Sequence, residues 1–160
     1  MAQGLPGHVI GVLRQELDSL VRVIYLLRLD DASERARLVR AAVDGKRWTK
    51  RNGRGLVTDR SMVEVAQQLN GWTRSVYEFG CAFIHLSSYH DYMSRDPLDG
   101  LDDTERQQIL RHMRYYHGGP VSDSPSFQEL ACYLPDVFRK IQDNLEGYLE
   151  SLERGESLEQ

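Results

Sequence analysis

Apolar residues recur at steps of three and four from Val9 to Leu27, and that spacing decides the fold class before anything else. Val9, Val12, Leu13, Leu17, Leu20, Val23, Ile24 and Leu27 fall on one stripe of a 3.6-residue period. One long amphipathic helix follows, with Pro6 suited to its first turn.

The same period returns downstream, cut by turn residues. A second helix holds Glu34, Arg35, Leu38, Val39, Ala42 and Val43 after Ser33, and Gly45 terminates it. Thr58 is placed to cap a third, with Met62, Val63, Val65, Ala66 and Leu69, and Asn70-Gly71 breaks it. From about Trp72 to Met93 runs the most apolar segment, whose small residues Gly80, Cys81 and Ala82 suit a helix buried on most sides. Pro97 and Gly100 mark a loop. Asp102 and Glu105 then form a capping-box start to a helix reaching about Tyr116, before Gly118-Gly119-Pro120 stops it. A short helix from Phe127 to Tyr133 leads to a final one carrying Val137, Phe138, Ile141, Leu145, Tyr148, Leu149 and Leu152. Residues 154–160 read as a frayed tail. No stretch alternates as a strand would, and no fixed repeat is present. The expected fold is all-α: a single-domain helical bundle of five to six helices over residues 1–160.

Composition narrows the function classes. Hydrophobic residues at 41% and charged residues at 28% exclude a disordered chain. The net charge of -4 provides no global field toward nucleic acid or anionic lipid, so any nucleic-acid site must be a local patch. No basic segment precedes an unbroken apolar run at the N-terminus, and no eighteen-residue apolar stretch exists. No membrane contact is expected, and the expected address is the cytoplasm. Cys81 and Cys132 read as lone buried thiols, and the absence of a CxxC pair excludes a zinc ribbon.

One such local patch is the loop at 46–57. It places Lys46, Arg47, Lys50, Arg51 and Arg54 around Trp48, with no apolar period and two glycines, as a loop or short hairpin. Cations neutralise phosphates and an exposed aromatic stacks on unpaired bases; the alternative is a solvated loop whose Trp48 packs back onto the core.

The second feature is Arg106–Pro120, RQQILRHMRYYHGGP, with three arginines, two histidines and two tyrosines at a helix end. Histidine serves as general base and metal ligand. The pairs His85/His90 and His112/His117 are each five apart, about 140° around an ideal helix, so neither pair should face one point. With no HExxH or ExxH, neither a metal nor a cofactor is expected; a bundle site would need one histidine per helix plus Asp91, Asp96 or Glu78. The HGG run lacks the GxSxG of a hydrolase.

Arg111 and His117 are separated by five residues, as are Arg106 and His112. This spacing resembles the Arg-x4–6-His motif of the HEPN superfamily, all-α nucleotide- and RNA-binding domains that often dimerise. Polar His112 after Arg111, Gly118 after His117 and the long first helix fit the likeness. The chain departs from the family in ending its helix at His117. The resemblance implies RNA or nucleotide binding by a homodimer and metal-independent RNA cleavage. His117 would be general acid/base, Arg111 the phosphate ligand and Arg114 its support. The competing expectation is a non-catalytic helical module that binds a protein partner.

Overall fold

The computed structural model describes residues 6–85 and 96–158, and at residues 6–8, 79, 82–85 and 97 the backbone alone. The fold is all-α. The helices are α1 (Pro6–Leu27), α2 (Ala32–Val43), α3 (Asp59–Asn70), α4 (Thr73–His85), α5 (Asp103–His117), α6 (Phe127–Ala131) and α7 (Leu134–Glu153), with a 3-10 turn at Pro97–Gly100. No helix among the described residues is long and apolar enough to cross a membrane.

The helix ends obey the local chemistry of the sequence. The Asp31 carboxylate accepts from the N–H groups of Ser33 and Glu34 and starts α2. Thr58 and Ser61 form a reciprocal capping box on α3, and Asp102 with Glu105 does the same on α5. Gly71 and Gly118, both left-handed, close α3 and α5, a conformation that costs a residue with a Cβ. Of the apolar segment expected to run to Met93, residues 86–93 lie outside those described.

Two compact units divide the chain. One comprises residues 1–17 and 74–141, the other residues 18–73 and 142–160. The first buries Ile10, Leu13 and Leu17 of α1 with Val76, Leu110, Met113, Leu130 and Ile141. The second buries Leu20, Ile24 and Leu27 of the same helix with Leu38, Trp48, Met62, Val63 and Trp72. Each such aliphatic side chain stabilises its unit by roughly 1.5–3 kcal/mol relative to exposure.

Residues 154–158, within the stretch expected to fray, make contacts beyond their own segment. Beyond α7 the Leu158 N–H donates to the Leu27 carbonyl at 2.9 Å. Arg35 donates to the Glu156 carbonyl at 2.6 Å and to the Ser157 hydroxyl at 2.5 Å. Residues 154–158 are therefore docked by backbone and guanidinium bonds that no apolar period announces.

Candidate functional site

The stretch KRWTKRNGRG folds as a short hairpin. Thr49 bridges Leu56, the Val57 N–H donates to the Trp48 carbonyl at 2.9 Å, and the Lys50 N–H donates to the Gly55 carbonyl at 3.1 Å. Gly53 and Gly55 take φ of +68° and +88°, which explains the two glycines at the tip. Trp48 is only 7% exposed and its ring lies 6.1 Å from that of Tyr25. At that burial the ring leaves little face for an unpaired base to stack on, as in the alternative where Trp48 packs back onto the core: burying a large aromatic outweighs presenting it.

The hairpin cations fall into two sets. Lys46 pairs with Asp44 at 2.9 Å and Arg51 with Asp31 at 2.8 Å. Arg47, Lys50 and Arg54 are exposed and make no ion pair among the described residues. Beside them lies a groove of about 530 Å³ lined by Arg22, Lys46, Arg47, Trp48, Leu56 and Asp59, among others. Arg22 comes from α1, stands 3.6 Å from Asp59, and carries its guanidinium 5.7 Å from the Trp48 ring. Nothing in its own segment marks Arg22, because it occupies an ordinary polar position of an amphipathic helix.

At the C-terminal end of α5 the candidate residues separate. Arg111 is exposed, whereas His112 is 6% exposed and His117 half-buried. No hydrogen bond, ion pair or ring contact joins Arg111 to His117. Arg114 is engaged elsewhere: it donates to the Pro120 carbonyl at 2.9 Å, the Ser122 carbonyl at 2.8 Å and the Asp123 carboxylate at 2.8 Å. It anchors the following loop, which accounts for its guanidinium without a phosphate.

His112 and His117 do meet. Their ring centroids are 5.5 Å apart, a correction to the angular argument that kept residues five apart from converging. Cα positions diverge as the helix period says, but the rings extend far enough from them to close the gap. His112 Nδ1 lies 2.7 Å from the Ser75 hydroxyl of α4, and the Tyr116 ring packs 4.9 Å from His112 with Lys140 Nζ 3.7 Å over its face. Burial, reinforced by His117 and Lys140, pushes the His112 pKa down to about 4. Burial and Lys140 also lower His117, opposed by Asp136. Both imidazoles are thus neutral near pH 7. Ser75 escaped the sequence reading because a serine in a helix carries no signal of its distant partner.

The side chain of His85, together with His90 and Asp91, lies outside those described. Among the described residues no group of three or more His, Cys, Asp or Glu is placed to hold a metal ion. Cys81 and Cys132 are free thiols, but Cys81 is half-buried and Cys132 exposed, where burial was expected. The apolar neighbours of Cys132 in the sequence, Leu130 and Leu134, face the core in its place. No protein-family model, curated protein or solved structure matches the chain.

Proposed function

We propose that the protein is a HEPN-like, cytoplasmic, homodimeric helical protein that binds RNA or nucleotides through their phosphates. The observation that carries this reading is the hairpin of residues 46–57, where Arg47, Lys50 and Arg54 are exposed with no ion pair among the described residues. Their charge is available to phosphate, whereas that of Lys46 and Arg51 is shared with carboxylates. Cleavage would use His117 as general acid/base, its neutral imidazole ready to take a proton, with Arg111 holding the scissile phosphate. RNA binding across a salt series tests the binding step, with molecular mass measured on the same sample. Three neutralised phosphates give a slope of about -2 for log affinity against log salt on single strands. Charge removal at Arg47, Lys50 and Arg54 should abolish it; unchanged affinity in that variant ends the reading. Equal RNA cleavage by wild type and H117A would remove His117 from the chemistry.

A second reading, a protein-binding module, is favoured by Val39 and Val43, which lie one turn apart on α2 and are 42% and 82% exposed. On α7 Phe138 and Leu145 are half-buried and Leu149 alone of the three is exposed. Val43→Lys would then abolish partner capture and leave RNA affinity unchanged.

A further inference from the structure

We propose that the groove beside the basic hairpin is a binding site for a small phosphate monoester carrying a flat apolar body, with Arg22 and Arg47 as its phosphate ligands. The inference rests on the reading that this hairpin takes phosphates, and it narrows that reading to one concave site and adds a residue from α1.

Size, charge and surface chemistry converge on that class. The volume of about 530 Å³ falls inside the roughly 300–1,000 Å³ typical of small-ligand sites. A polymer backbone needs an extended track instead. Three cations, Arg22, Lys46 and Arg47, line the groove with one carboxylate, Asp59, and the Asp44 carboxylate pairs with Lys46, for a net charge of +1 (three minus two). Asp59 lies 3.6 Å from Arg22, a loose pair that a phosphate dianion can displace. Thr58 and Asp59, at the start of the twelve-residue α3, line the same groove, so the positive end of that helix adds to the field.

The remaining wall is apolar. Leu56 is 41% exposed although it lines a concavity, and Val57 and Ala42 adjoin it. Trp48, more than nine-tenths buried, contributes to the wall and carries an indole N–H with no acceptor among the described residues. Buried donors are normally satisfied, so the resonance of this unpartnered N–H reports directly on changes in the groove wall. A lining that combines cations with aliphatic surface fits a molecule that carries both a phosphate and a flat ring.

The test is titration of the full chain with adenosine 5′-monophosphate, ribose 5-phosphate and inorganic phosphate, followed by the Trp48 indole N–H resonance, with Trp72 as internal reference. Adenosine 5′-monophosphate should shift the Trp48 signal and bind at least fivefold more tightly than ribose 5-phosphate, and inorganic phosphate should compete. Arg22→Met should weaken binding about tenfold, and Arg22→Lys should recover most of the loss, which distinguishes lost charge from misfolding. Charge removal at Lys50 and Arg54, which do not line the groove, should leave it within twofold. No Trp48 shift at millimolar adenosine 5′-monophosphate, or equal affinity in Arg22→Met, overturns the proposal. Salt-sensitive RNA binding alongside either result would leave the hairpin reading standing; a Trp48 shift without RNA binding would do the reverse.

Discussion

The imidazole of His117 packs 5.5 Å, centroid to centroid, from that of His112, and Ser75 holds the far side of His112 through Nδ1 at 2.7 Å. The contact makes each histidine part of the other's electrostatic surroundings. A positive charge on either ring raises the free energy of a charge on the other, on top of the desolvation that both already carry.

Acid should therefore unfold this protein earlier than its carboxylates alone would. His112 has a folded pKa of about 4 against an ordinary value of 6.5, so the unfolded chain binds the extra proton. The stability contribution is complete above pH 6.5 and is lost as pH falls from 6.5 through 4. It amounts to about 3 kcal/mol in full, from ~1.4 kcal/mol per unit. Urea melts at pH 7 and pH 5 should differ, and H112Q should flatten the difference. An unchanged slope in H112Q would assign the acid sensitivity elsewhere.

Gly119→Ala should destabilise by about 2 kcal/mol, the scale of overpacking in a filled site. A Cβ at Gly119 would collide with the Tyr133 hydroxyl and lie 2.6 Å from its ring carbon Cζ. Gly118→Ala meets open space and suffers only its φ of +74°, which should cost about 1 kcal/mol, the low end of the left-handed penalty. Thermal melts should rank the two in that order, and a milder effect at Gly119 would contradict the packing.

Arg114→Met should loosen the loop after α5 rather than weaken RNA binding. Its bonds to Pro120, Ser122 and Asp123 are the ties of that segment to the helix. Amide exchange over residues 121–124 should accelerate several-fold with RNA affinity within twofold of wild type. A selective loss of RNA affinity would return Arg114 to the binding site.

Trp48→Ala should cost about 3–5 kcal/mol, as for other large buried aromatics, and Trp48→Phe much less. RNA affinity of the Phe variant should match wild type. A large loss of affinity in a fully folded Phe variant would reinstate stacking.

What could be read in advance was local. The stripe of α1, the Thr58 and Asp102 caps and the Gly71 and Gly118 stops each depend on residues within a turn or two, and they appear where their chemistry places them except at Val9 and Val12, which are 47% exposed while Ile10 is buried in their place. The hairpin glycines were equally legible. Contacts made across the chain were not. Arg22 reaches the groove from α1, Ser75 reaches His112 from 37 positions away, and Trp48 is buried against Tyr25, each through packing that no short-range spacing encodes. Arg111 and His117 illustrate the converse: a motif-like spacing put them side by side on paper, while the helix leaves one exposed and turns the other onto His112.

The docking of Leu158 onto Leu27 has a consequence for synthesis on the ribosome. The unit built from residues 18–73 has most of its buried side chains translated early, yet it lacks its closing segment until residues 142–158 have emerged from the exit tunnel. The other unit is complete once Ile141 is out. The portion bearing the basic hairpin thus waits longest for its last contacts, and its nascent α1–α3 apolar surface must be kept from misassociation during that interval.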